Sequence, residues 1–145
     1  MKVNNEARVE FPGLSANEGF ARSIAACFAA QLDPTLEELG DLKTAVSEAV
    51  TNCIVHAYPN EAGRVSLRLR ILEGDVLEVR IRDWGTGILD VERAREPLFT
   101  TGGEERSGMG FSIMQGFCDR IRVRSYPGKG TTVVMDKYIG GKHER

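Results

Sequence analysis

The chain has 145 residues, 41% hydrophobic and 28% charged, with 19 basic against 21 acidic side chains and a formal net charge of −2. That length and balance predict one domain over 1–145 with its own hydrophobic core; they exclude wholesale disorder and speak against a direct nucleic-acid binder that relies on phosphate neutralisation. The 3 cysteines, Cys27, Cys53 and Cys118, stand far apart with no CxxC pair, which argues against a disulfide framework or a zinc site and fits a reducing cytoplasm.

The opening residues MKVNNEARVE lack the apolar stretch of a signal peptide, and no apolar run approaches the ~20 residues that a membrane helix needs. Glu6 to Phe11 reads as a short strand stopped by Pro12-Gly13. Ser15 followed by Glu18 is a capping box, predicting a helix from about Ala16 to Gln31 with Phe20, Ile24, Cys27, Phe28 and Gln31 on one face. Asp33 as N-cap and Pro34 at the first position open a second helix. Its apolar positions are Leu36, Leu39, Val46, Val50, Cys53, Ile54 and Ala57, and Pro59 ends it near Tyr58.

The pattern then changes to period two. Val65, Leu67, Leu69 and Ile71 alternate with Ser66, Arg68 and Arg70, and after Glu73-Gly74-Asp75 the alternation resumes with Leu77, Val79 and Ile81. This predicts an antiparallel hairpin with one buried face; Arg68, Arg70, Glu78, Arg80 and Arg82 form its wet side. Asp83 to Gly110 reads as mostly loop, followed by a short helix over Phe111 to Cys118. Two last strands, Arg120–Tyr126 and Thr131–Ile139, flank the turn Pro127-Gly128-Lys129-Gly130, and the tail 140–145 is expected to fray. Helices covering one face of a mixed, mostly antiparallel sheet give an α+β, two-layer α/β sandwich.

Three segments carry candidate chemistry. In the first, Glu48, Asn52 and His56 recur every four residues along one helical edge. A mid-helix Asn is less favourable than Ala by under ~1 kcal/mol, which hints at another use. The second, Asp83-Trp84-Gly85-Thr86-Gly87-Ile88, follows a strand; the third, Arg106-Ser107-Gly108-Met109-Gly110-Phe111, precedes a helix. Glycines at a helix start let backbone N–H groups approach phosphate oxygens, and the helix dipole adds positive potential there. Asp83 can accept a hydrogen bond from an amino group such as that of adenine. The Asn52 carbonyl is a hard ligand suited to Mg²⁺ beside phosphates. Glu48 can take a proton from an attacking hydroxyl or water. No GxxxxGK[ST], no Rossmann GxGxxG and no HRD or DFG set occurs.

In order and interval these segments resemble the N, G1 and G2 boxes of the ATPase superfamily shared by DNA gyrase, a heat-shock chaperone and histidine kinases. SEAVTNCIVHAY, REPLFTT and ERSGMGFSIM are similar, more narrowly, to the anti-sigma factor serine kinases of sporulation. The resemblance spans nearly the whole chain and implies a Bergerat-type ATP-binding fold. It also implies ATP and Mg²⁺ as cofactors, a homodimer, a sigma factor held inactive, and an anti-anti-sigma protein phosphorylated on serine. Carried residue by residue, it makes Asn52 the Mg²⁺ ligand, Glu48 the catalytic base and Asp83 the reader of adenine, with Thr132 nearby. Gly85, Gly87, Gly108 and Gly110 shape the nucleotide loops, and about 89–107 is the ATP lid, with Arg106 reaching the terminal phosphates. Many relatives carry lysine where His56 stands, and a neutral imidazole does not supply that fixed charge.

Each candidate has a plainer alternative. Glu48 taken alone is an ordinary solvated helix residue, Asp83 an ordinary turn residue, Cys27 and Cys53 small core residues, and Trp84 a side chain packed under the nucleotide loop. On the first helix, Glu18 and Arg22 are four apart, with Ala25 and Ala29 beside them. They form either a surface ion pair of ~0.3–0.5 kcal/mol or a partner-docking site with an arginine over a small-residue strip. The competing functions are a nucleotide-gated binding protein with little kinase activity, the catalytic domain of a histidine kinase, and a small ATP hydrolase.

Overall fold

The computed structural model describes residues 1–57, 63–85, 100–103, 106–107 and 109–139, with backbone only at 56–57, 100–103, 106–107 and 109–112. The strands are β1 (Val3–Pro12), β2 (Arg64–Leu72), β3 (Val76–Asp83), β4 (Thr100–Gly103), β5 (Arg106–Ser107), β6 (Arg120–Tyr126) and β7 (Gly130–Tyr138). The helices are α1 (Ala16–Ala29), α2 (Leu36–Asn52) and α3 (Met109–Phe117); a 3₁₀ turn, Ala30–Leu32, follows α1, and a π-helical turn, Cys53–Ala57, follows α2.

Period-two alternation becomes a five-stranded sheet in the order β1-β2-β3-β7-β6. Each of its pairings is antiparallel, so the parallel component of a mixed sheet is not found among the described strands. The β2–β3 register pairs Leu67 with Ile81 and Leu69 with Val79, which keeps Val65, Leu67, Leu69, Ile71, Leu77, Val79 and Ile81 on one face. Gly74 and Asp75 take positive φ, 86° and 60°, in the turn that joins them. Residues 100–103 and 106–107, expected as loop, instead pair antiparallel as β4 and β5 in a separate two-stranded sheet.

The helix layer packs on that apolar face. Leu42, Val46 and Val50 of α2 and Met114 of α3 are at most 1% exposed, against Leu67, Leu69, Leu77, Val79 and Met135 of the sheet. Burying each such aliphatic side chain contributes ~1.5–3 kcal/mol.

Several local expectations are corrected. The buried stripe of α1 is Ala21, Ala25, Phe28 and Ala29, while Phe20 is 49% exposed and Cys27 is exposed. Small side chains let α1 approach α2 closely, so hydrophobicity alone misplaces the stripe. The N-cap of α2 is Thr35 rather than Asp33. Its hydroxyl accepts from the Glu38 amide at 3.0 Å, and the Glu38 carboxylate accepts from the Thr35 amide at 2.8 Å. Asp33 instead turns the chain at φ 51°, and Leu36 is left 88% exposed. Ser15 makes no side-chain cap bond: its backbone is already helical (φ −52°, ψ −35°) and the Glu18 amide donates to the Ser15 carbonyl at 3.3 Å, while Glu18 Oε2 accepts from Ser47 Oγ on α2 at 2.6 Å. The long helix expected to run to Tyr58 is α-helical only to Asn52; its end at Tyr58 and Pro59 lies outside the described residues.

Candidate functional site

Three chain segments converge at one end of the sheet: the C-terminal turn of α2, the last residue of β3, and the turn between β6 and β7. Glu48 and Asn52, one α-helical turn apart, are both half-buried on α2. The helix widens to π geometry at Cys53, a distortion that recurs at functional sites. His56 falls in that widened turn, so the four-residue spacing no longer keeps it on the α-helical edge of Glu48 and Asn52.

Asp83 is 4% exposed and ends β3 on the helix-covered face. Its Oδ1 accepts two backbone amides, Gly85 N–H at 3.0 Å and Thr131 N–H at 3.2 Å. Burial raises the Asp83 pKa above 3.8; the Gly85 amide, the neighbouring Cys53 thiol and the Thr131 amide oppose that shift, with no cation among its causes. Burial, followed by the Asp83 charge, holds the Cys53 thiol well above its usual range, so it remains a donor. One carboxylate oxygen, Oδ2, is left with lone pairs that neither amide uses.

The β6–β7 turn sits against this carboxylate. Gly130 has φ +100°, and a Cβ built there would lie 2.2 Å from the Asp83 carbonyl oxygen and 2.7 Å from Trp84 Cα. Only glycine allows that approach. Trp84 is half-buried against two guanidinium groups, Arg64 3.9 Å and Arg82 4.6 Å from its ring centroid.

The remaining predicted residues divide clearly. Gly85 stands beside Asp83 as expected. The helix expected from Phe111 begins two residues earlier, at Met109, so Gly110 lies in the first turn of α3 rather than in the preceding loop. Arg106 lies on β5. Gly87, Gly108, residues 89–99 and 104–105 of the expected lid, and the tail 140–145 lie outside the described residues. Thr132 is paired with Arg82 and Arg124, on the arginine-bearing face of the sheet, whereas its neighbour Thr131 meets Asp83. On α1, Glu18 and Arg22 form an ion pair at 3.5 Å, with the Arg22 side chain 45% exposed. Ala25 and Ala29 are fully buried, so the small-residue strip is part of the core rather than a docking surface.

Residue reading missed Cys53, Gly130, Thr131 and Ser47 as site or near-site residues. The Thr131–Asp83 contact spans 48 residues, and no local pattern announces it. The glycine between a lysine and two threonines is the one signal that could have marked the turn.

A family model described as a histidine kinase-like ATPase domain matches residues 11–137. The chain is 56% identical over 141 residues to the anti-sigma F factor of Caldanaerobacter subterraneus subsp. tengcongensis, covering 97% of this chain and 98% of that one. It is 51% identical over 138 residues to the anti-sigma F factor of a Geobacillus species, covering 94% of each. Among solved structures, the RsbU and RsbW domains of a Mycobacterium tuberculosis protein match with a TM-score of 0.68 at 13% identity, covering 94% of this chain and 33% of that one. The histidine kinase domain of an Erythrobacter litoralis blue-light activated histidine kinase matches with a TM-score of 0.58 at 24% identity, covering 84% of this chain and 61% of that one.

Proposed function

From the premise that the chain belongs to the anti-sigma F factor family of histidine kinase-like ATPase domains, we propose that it is an ATP-dependent serine kinase as well as an anti-sigma factor. It holds a sigma factor inactive and phosphorylates an anti-anti-sigma protein on serine, in the cytoplasm and as a homodimer. The family carries an ATP-binding domain. The observation that supports ATP here is the Asp83 carboxylate: buried, raised in pKa, held by neutral donors and presenting a spare acceptor at the end of a strand.

In this reading, Asp83 accepts the 6-amino hydrogen of adenine and Gly85 begins the loop that lets the base approach. Gly87, Gly108 and Gly110 shape the phosphate loops, Arg106 neutralises the terminal phosphates, and the lid over about 89–107 excludes water. Mg²⁺ would supply charge neutralisation of the phosphates; among the described residues there is no cluster of three or more His, Cys, Asp or Glu, so the protein's share is the Asn52 carbonyl, with phosphates and water completing the shell. Glu48, one turn from Asn52, takes the proton of the incoming serine hydroxyl as its oxygen bonds to the γ-phosphorus and the bond to the β–γ bridging oxygen breaks. Positioning and charge neutralisation dominate such a loose transition state. Thr132 is not needed for adenine in this scheme; the Thr131 amide holds Asp83 instead.

Labelled ATP and a serine-bearing anti-anti-sigma partner test the reading. Wild-type protein transfers the γ-phosphoryl group, whereas Glu48→Gln keeps ATP affinity and loses transfer by ~10²–10⁴-fold. Unaltered transfer in that variant removes Glu48 from the mechanism, and a wild-type chain that binds ATP without transfer is a nucleotide-gated binder. Glu18 and Arg22 belong to the partner surface: Arg22→Ala weakens sigma-factor co-purification with ATP binding unchanged.

A further inference from the structure

We propose that Ser47 is a positioning residue of the partner surface, its hydroxyl anchoring Glu18 so that the Arg22 guanidinium stays open to a carboxylate of the docking protein. This rests on the partner-surface role given to Glu18 and Arg22 above. Glu18 Oε2 accepts from Ser47 Oγ at 2.6 Å, and the same oxygen lies 3.5 Å from Arg22 Nη1. The first contact is a short, charge-assisted hydrogen bond; the second is longer than an N–H···O bond ordinarily runs. The carboxylate is therefore tied to α2 and steers the guanidinium by charge without closing on it. A glutamate and an arginine four apart on a helix otherwise pair with each other, which would turn the arginine donors towards their own helix. Here the Arg22 side chain remains 45% exposed.

Two further observations support this role. A Cβ built at Gly19 would lie 3.4 Å from Arg22 Nη2, so the guanidinium lies back along α1 over a residue with no side chain. Glycine is unfavourable within a helix, and this one leaves the arginine its place. Ser47 itself departs from the usual habit of a helical hydroxyl, which is to bond the carbonyl four residues back. Thr44 on the same helix follows that habit, donating to the Gly40 carbonyl at 3.0 Å. Half-buried Ser47 instead reaches across to the other helix. It precedes Glu48 directly, but one residue is roughly 100° of helical rotation, so neighbouring positions of α2 serve different surfaces.

The test is calorimetry with the purified sigma factor in saturating ATP, and with ATP alone, on wild type, Arg22→Ala, Ser47→Ala, Ser47→Thr and the Arg22→Ala, Ser47→Ala double variant. Arg22→Ala weakens sigma-factor binding by about tenfold or more. Ser47→Ala weakens it by about three- to tenfold and changes ATP affinity by less than about twofold. Ser47→Thr, which keeps the hydroxyl, stays within about twofold of wild type. In the Arg22→Ala background, Ser47→Ala adds less than about twofold, because the arginine through which it acts is gone. An Arg22→Ala variant that binds like wild type overturns the partner-surface reading and this proposal with it. A loss at Arg22→Ala with none at Ser47→Ala overturns the role of Ser47 alone. Equal losses on ATP and sigma factor, a threonine variant no better than alanine, or a Ser47→Ala loss undiminished without Arg22 assign the effect to helix packing and overturn it too.

Discussion

One strand carries two buried carboxylates that face opposite ways. Glu78, 6% exposed on β3, lies on the open face of the sheet and is surrounded by cations. Arg68 reaches its Oε1 at 3.0 Å, Arg70 reaches the same oxygen at 2.9 Å, and Arg122 lies 3.8 Å from Oε2. Asp83, 4% exposed five residues on, lies on the helix-covered face and is held only by amides and a thiol among the described residues. A carboxylate matched by guanidinium groups has its charge and lone pairs consumed, and it serves the fold. A carboxylate held by neutral donors keeps charge and one oxygen for something that arrives later. The arginine surroundings also carry a penalty: burial and the neighbouring Arg68, Arg82 and Arg8 lower the Arg80 pKa, with Glu78 opposing them.

Substitutions at the two positions separate the roles most sharply. Glu78→Gln leaves three guanidinium groups without their shared counter-charge and is expected to lose ~3–5 kcal/mol in chemical denaturation, with nucleotide affinity intact in the folded fraction. An affinity loss larger than the stability loss would dissolve the contrast. Gly130→Ala comes next: it strains φ +100° and drives a methyl into the Asp83 carbonyl. It should remove ~1–3 kcal/mol of stability and weaken ATP binding as well, measured by denaturation and calorimetry on one preparation. Asp83→Asn keeps acceptors for both amides, so stability stays within ~1 kcal/mol while ATP affinity drops by about 10- to 100-fold.

The smallest effect is the dependence on pH. The folded-state pKa of Asp83 is raised, so the folded chain holds that proton more tightly than the unfolded one. Its contribution to stability is therefore present at low pH and lost as pH rises through the raised value. ATP affinity runs the other way, falling on acidification from a point above the ordinary carboxylate range, as the acceptor is protonated. Titrating Asp83→Asn alongside wild type checks this: the variant should lose that segment of the binding profile. A wild-type affinity flat down to the ordinary range would put the adenine contact elsewhere.

How much could be read without coordinates follows from the range of each interaction. The β2–β3 hairpin and β6 are legible because alternation and turn chemistry act over a few residues. Glu48 and Asn52 stand out by their four-residue spacing and Asp83 by its place at the end of a strand, and β3 packs against the π-helical turn that follows Asn52. The stripe of α1 was misread because Ala21, Ala25 and Ala29 earn their burial by smallness, which a hydrophobicity pattern undervalues beside Phe20. Glu78 was read as solvated because nothing local tells that Arg68, Arg70 and Arg122 fold over it. The Gly130 and Thr131 contacts with the Asp83 segment arise only once β7 lies beside β3, a pairing the chain cannot announce by composition.

The clasp of Arg64 and Arg82 on Trp84 has a practical corollary. The chain holds 1 tryptophan, and it sits next to Asp83. Indole emission from the unlabelled protein thus originates at a single point beside the proposed base pocket, where two guanidinium groups lie against the ring. Any occupant that shifts the Asp83–Gly85 backbone changes that grip, and the protein carries its own optical gauge of occupancy.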